Sequence, residues 1–355
     1  MAKKPKKAEP DGLKRKAMFE ASQKEFRKCI YPKAPECQQS AIDAHSIQKS
    51  GKLSELAHDG QVYAFDLKPV FGETPTPHCL HLRGQKKATT FAGLCSEHDN
   101  RLFDPIDNNE IDLENPEHLF LLAYRSVLKN AHGALKHKMW TADAYNKLVS
   151  YGVADPEQTV MRDMKASAGR AADFTWLRKQ ELDHLHLSGA HDALGHEVVW
   201  LPEGDPAVGV SECFSTISRN GEEKFCALNV FPQEGRHVMV FSFVKGSRLA
   251  LRDNFVNYLR YLPVAKRAQV ASRIVLENCT DPILSPKVYS TFSTEQKLTI
   301  RNYYMQTALL ANACAAPGYP EEARNELAKR TLEASGNVDR DDPGLNLFKP
   351  AGRGS

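Results

Sequence analysis

Apolar and polar positions change their period three times along the chain. Residues 115–152 (NPEHLFLLAYRSVLKNAHGALKHKMWTADAYNKLVSYG) repeat apolar side chains at helical spacing, with Pro116 placed to start the helix. A second helical stretch covers about 157–187. The pattern then switches to short strands: HEVVWL, GVSECFSTI, KFCALNVF and RHVMVFSFV. EGDP (203–206), RNGEE (219–223) and PQEG (232–235) separate them as turn signals. From Leu249 to about Ala316 the spacing is helical again, and beyond Pro317 a last helix and a Gly/Pro-rich tail are expected. No repeat of 20–50 residues is present.

The first third reads differently. Residues 1–12 are expected to be disordered, and Leu13, Ala17, Phe19 and Phe26 suggest a short helix over Gly12–Lys28. Residues 29–110 are irregular, with a β-like VYAFDL (62–67), a turn at ETPTP (73–77) and four of the chain's eight cysteines. That density of Cys and His without long apolar runs points to a small core held by metal. The fold class expected is α+β, divided into a basic arm (1–25), a metal-binding module (26–110), a helical region (115–195), an α+β domain with an antiparallel sheet (196–316) and a C-terminal helix and tail (317–355).

Composition narrows the class. The chain is 41% hydrophobic and 26% charged, with mean hydropathy −0.48, and no apolar run approaches the roughly 20 residues that span a bilayer. MAKKPKKAEPDGLKRK lacks the apolar segment of a secretory signal, so a cytoplasmic setting with reduced thiols is expected. Net charge is +3, but residues 1–28 hold ten Lys/Arg against four Asp/Glu, a distribution suited to phosphates.

The thiols carry the candidate chemistry. Cys95-x2-His98 has knuckle spacing, because two intervening residues let both side chains turn to one ion. Cys29-x7-Cys37 is the wider early pair, its insert holding two prolines, and His78, Cys79 and His81 are spare ligands. Cys213 and Cys226 lie in apolar strand patterns and are expected in the core. DHLHLSGAHDALGHE (183–197) gathers four histidines, but no regular structure turns them all to one side, so a polar helix end and turn is expected. Arg219, Asn220, Glu277 and Asn278 flank apolar runs as candidate ligand contacts.

Between the cysteine pairs, AIDAHSIQKSGKL puts His45 on a short strand after the early knuckle, with a loop at KSGK. FAGLC then leads through Leu94 and Cys95 into a helix beginning near His98. This order resembles the HNH, or ββα-metal, endonucleases of treble-clef type, over residues 26–105. AHSIQ followed by TFAGLCSEHD also resembles uncharacterised bacterial proteins, which imply no particular activity; the layout of an HNH-like module joined to an α+β domain is what implies a role in bacterial defence against phage or foreign DNA. The resemblance implies a structural zinc on Cys29, Cys37, Cys95 and His98. It further implies His45 as general base, Asp99 as ligand of a catalytic Mg²⁺ or Mn²⁺ with Asn100 assisting, and DNA as substrate. Lys49, Lys52, Lys86 and Lys87 are the expected phosphate contacts. Two positions depart from the family: Ala44 precedes the histidine where a metal ligand is usual, and Thr90 stands where the middle asparagine is usual. A non-catalytic zinc protein binding nucleic acid or a protein partner is the alternative. Self-association is expected, if anywhere, through the C-terminal domain.

Overall fold

The computed structural model describes residues 10–32, 37–48, 51–65, 80–154, 159–217, 223–244, 255–309 and 344–348, with Asn325 and Lys329. Of the final helix and tail expected beyond Pro317 only Asn325, Lys329 and residues 344–348 are among them, and Arg219, Asn220, His78, Cys79 and Lys49 lie outside.

Strict alternation in the C-terminal half builds the sheet. In β8 (Arg236–Val244), Val238 and Val240 face one core while Met239, Phe241 and Phe243 face another. The same split runs through β7 (Glu223–Gln233), where Leu228 and Val230 oppose Ala227 and Phe231. With β6 (Val208–Ile217) these strands form an antiparallel meander, and β5 (Leu194–Glu203) pairs antiparallel with β8 at its outer edge. The β7–β8 turn falls at PQEG: Glu234 (φ 51°) and Gly235 (φ 71°) take the two left-handed positions of a two-residue hairpin.

The sheet has seven strands in the order β3-β2-β9-β6-β7-β8-β5. β2 (Gln61–Phe65) and β3 (Leu80–Gly84) come from the cysteine-bearing third of the chain. They reach the meander through β9 (Ile283–Leu284), a two-residue strand paired with β2 on one side and Val208–Gly209 of β6 on the other. Two residues show no period, so the helical expectation for 249–316 overlooked β9. Gly209 makes the junction close: a Cβ there would lie 2.7 Å from Leu56 Cδ1 and 2.9 Å from Ile283 Cγ1. Leu56 belongs to α2 (Lys52–Leu56), which replaces part of the loop expected at KSGK.

Helices cover both faces. On one lies α4 (Pro116–Ser150), started by Pro116 and capped by the Asn115 side chain accepting from Glu117 N at 2.9 Å. Its first half, Leu119 to Ala131, packs with α3 (Ser96–Asp107) against the sheet. Its second half runs on beside α5 (Thr159–Ser188) and α1 (Pro10–Ser22), where Ala144 and Leu148 meet Ala17, Met18 and Ala21. The other face is covered by α6 (Asn257–Tyr261), α7 (Val264–Asn278), α8 (Pro286–Tyr289) and α9 (Thr294–Tyr304), α9 starting in a Ser293/Gln296 capping box. The architecture is thus α+β with an antiparallel sheet. No helix among the described residues is long and apolar enough to cross a membrane.

Candidate metal centre

Backbone pairing explains why seven residues between the first two cysteines do not prevent their sulfurs from meeting. Residues 27–30 and 40–42 run antiparallel, with a bridge at Lys28 and Ser40 and Ala41 N donating to Arg27 O at 3.1 Å. Both arms hang from the late knuckle: Ile30 N donates to Gly93 O and Ile42 N to Leu94 O, each at 2.8 Å. Gly93 permits this, since a Cβ there would stand 2.7 Å from the Phe91 ring. β1 (Ala44–His45) then pairs with β4 (Thr90–Phe91), and Cys95 caps α3, whose first turn carries His98.

These elements bring the ligand atoms of Cys29, Cys37, Cys95 and His98 within 4.8 Å of one another. Cys37 Sγ lies 3.7 Å from Cys95 Sγ, and His98 Nδ1 lies 3.3 Å from Cys29 Sγ and 3.2 Å from Cys95 Sγ. Tetrahedral zinc with usual bond lengths has S···S edges of about 3.8 Å and S···N edges of about 3.6 Å. The donor set fits that ion. Cys95 is fully buried and the other three half-buried. Burial pushes the Cys29 thiol up to about 11 and holds His98 below the usual imidazole range. The imidazole is therefore neutral with a lone pair to give, while the Cys29 sulfur needs a cation to stabilise it as a thiolate.

A layer that spacing does not reveal surrounds the cluster. Tyr31 stacks on the His98 ring with centroids 4.2 Å apart and planes 7° apart, and Arg101 lies 5.4 Å from the Tyr31 ring. The Tyr31 hydroxyl is 3.3 Å from His186 Nε2 on α5. Nearby on α5, Asp183 accepts from Tyr124 OH and from the buried Lys179 Nζ, both at 2.6 Å. Partners of a ligating histidine fix its ring, and losing one typically lowers metal affinity about 10–100-fold. Tyr31→Ala is expected to show a loss of that size in a chelator competition, whereas Tyr31→Phe, which keeps the stacked ring, retains most of the affinity.

His45 sits half-buried on β1, opposite Thr90, and its Nε2 donates to Gln85 O at 3.0 Å. A carbonyl only accepts, so the proton is on Nε2 and Nδ1 is the basic nitrogen. Thr90 Oγ1 donates to Lys87 O at 3.2 Å. Asp99, on the first turn of α3, is half-buried, and that desolvation raises its carboxyl to about 6 against the pull of Arg125. Arg125 itself is held by Asp107 through two bonds of 2.8 and 2.6 Å. Asn100 is exposed, 3.5 Å from Ser96 Oγ. His45 and Asp99 stand outside the four-residue metal group.

Lys86 and Lys87 are exposed in the turn between β3 and β4. Lys52 is a correction: it is buried, with Nζ 3.4 Å from Glu55 Oε1, because α2 turns its stem inward. His81 is exposed on β3. Of the histidine-rich run, His184 is exposed, His186 faces Tyr31, His191 stacks on Phe120 and His196 Nδ1 meets Ser242 Oγ at 2.8 Å. Cys213 and Cys226 are buried, as their strand pattern suggests. Glu277 and Asn278 are engaged internally, Glu277 by Tyr303 and Arg273 and Asn278 by Ile274 O. No protein-family model matches the chain, and neither the curated proteins nor the solved structures yield a match.

Proposed function

We propose that the cluster is a structural zinc site of an HNH-type, ββα-metal module, and that the chain is a metal-dependent endonuclease acting on DNA. The observation that carries this reading is a two-stranded ribbon bearing His45 that leads directly into the metal-ligating cap of α3. The Gln85 carbonyl holds the proton on His45 Nε2 and leaves Nδ1 as the accepting nitrogen. His45 then takes a proton from the attacking water, a task suited to an imidazole near neutral pH. Asp99 offers the carboxylate, with Asn100 beside it, where a hydrated Mg²⁺ or Mn²⁺ would supply charge stabilisation to the scissile phosphate and leaving oxygen. Lys86 and Lys87 hold the flanking phosphates. Ala44 contributes no ligand, so Asp99 is the principal protein contact to that second ion. A cytoplasmic setting keeps the thiolates reduced, and defence against foreign DNA is the role that such an activity serves.

His45→Ala is expected to lower Mg²⁺- or Mn²⁺-dependent cleavage of plasmid DNA at least about a hundredfold while leaving the zinc content intact. Cleavage that survives both His45→Ala and Asp99→Asn overturns the assignment. The burial of Asp99 beside Arg125 and Asp107 favours a second reading, a zinc-bound nucleic-acid or protein-binding module without catalysis. One equivalent of zinc with no cleavage under either divalent ion selects it.

A further inference from the structure

A second surface, on the sheet face opposite the metal centre, has the composition of a nucleic-acid contact. From Phe255 to Leu276 the chain carries Arg260, Lys266, Arg267 and Arg273 and no acid. Within it Tyr258 is 52% exposed, Tyr261 86% and Val264 54%. Single exposed apolar residues are ordinary, but three within seven positions of an acid-free segment are not. Tyr258 and Tyr261 are three apart on α6 and so share one side of it.

The turn that presents them is braced. Val256 and Leu259 are fully buried in the core below. Arg260 reaches the edge strand β5, with Nη1 2.9 Å from Glu197 Oε2 and Nη2 donating to Val198 O at 3.1 Å. Arg267 closes the turn from the other side, donating to Leu262 O at 3.2 Å and Arg260 O at 2.9 Å. The tyrosines are thus offered on a fixed platform, with Lys266 exposed beside them.

We propose that Tyr258, Tyr261 and Lys266 form a docking surface for single-stranded nucleic acid, independent of the metal centre. Tyrosine faces stack on bases that are already unstacked, and the lysine with the outer donors of the two arginines meets phosphates. A second copy of this chain is a poor occupant, because a two-fold interface would set the acid-free basic turn against itself. A lipid surface is poorly matched too, since α6 has five residues and its Leu259 points inward.

The test is fluorescence anisotropy of a labelled oligothymidylate with the full chain carrying His45→Ala, without added Mg²⁺ or Mn²⁺, so that cleavage plays no part. Tyr261→Ala and Tyr258→Ala are each expected to weaken binding about tenfold, and Tyr261→Phe to leave it unchanged. Lys266→Glu is expected to weaken it and to lower the salt dependence by about one unit of slope. The proposal is overturned if Tyr261→Ala and Lys266→Glu bind the oligonucleotide as the parent does. It is equally overturned if Tyr261 is instead required for co-sedimentation with phosphatidylserine vesicles or for dimerisation. Loss of nuclease activity in His45→Ala has no bearing on these outcomes, so the two proposals fail separately.

Discussion

Cys95→Ser is expected to abolish binding of one equivalent of zinc and to unravel the ribbon and the start of α3, while the α4-covered sheet persists. Cys95 touches two other ligands, is fully buried, and caps α3, so its loss removes a donor at the point where the arms converge. Those arms have few apolar anchors of their own; Ile30, Phe91 and Leu94 are the buried ones joined to the main core. Structural zinc in small modules contributes about 10–16 kcal/mol of apparent binding energy, comparable to the roughly 5–15 kcal/mol that stabilises a whole domain. With zinc bound as proposed, a region so dependent on it would open when it leaves. Amide exchange should therefore rise sharply over residues 27–31, 40–45 and 90–100 in Cys95→Ser, and likewise in the parent treated with a strong chelator. Exchange in β7 and β8, whose residues pack in both large cores, should change little. Cys213→Ser serves as the control, because that thiol is buried away from the cluster. Retention of full metal stoichiometry in Cys95→Ser would remove the cluster from consideration.

How much of this could be read beforehand depends on the kind of order involved. RHVMVFSFV alternates so cleanly between two cores that its limits as a strand match β8 residue for residue. The late pair, Cys95-x2-His98, was legible from its spacing, whereas the wider early pair joins it through the pairing of residues 27–30 with 40–42. Tyr31 and His186 were not, since 155 positions separate them and nothing local marks a hydroxyl that meets an imidazole across the fold. β9 escaped for a different reason: its two residues are strand only because β2 and β6 lie on either side. Lys52 was misjudged because a lysine in KSGK looks solvated until α2 is seen to bury its stem. In each case tertiary contact, rather than local preference, made the decision.

The largest effect away from the metal is expected at another contact of that long-range kind. β6 has a strand neighbour on its β9 side only at Val208 and Gly209 among the described residues. Beyond them, Lys129 of α4 takes over the edge: Nζ donates to Ser211 O at 2.9 Å, Glu212 Oε1 at 2.7 Å and Asp281 Oδ1 at 2.5 Å. Thr280 adds a bond to Glu212 at 3.2 Å, and Tyr304 donates to the Thr280 carbonyl. One ammonium thus ties α4, β6 and the turn before β9 together. Two carboxylates around one cation do not both ionise easily when water is scarce. Burial raises Glu212 to about 8, while the more exposed Asp281 is held below the usual carboxylate range by Lys129. Glu212 is accordingly the proton holder. Lys129→Met removes the donor that ties Ser211 O, Glu212 and Asp281 together and is expected to cost about 1–3 kcal/mol in urea unfolding, since Asp281 is exposed enough for water to take over its charge. Glu212→Gln keeps an oxygen for Lys129 and replaces an already protonated group, so it is expected to cost less than about 1 kcal/mol near neutral pH. The sign of the pH dependence follows from the raised value. Between about pH 4.5 and 8 the folded chain holds a proton at Glu212 that the unfolded chain has released, so this group's contribution to stability falls as pH rises through that window. Glu212→Gln should lack that component, and its stability relative to the parent should therefore improve from pH 6 to pH 9. If Glu212→Gln shows no such gain on the parent over that range, Glu212 is ionised in the fold.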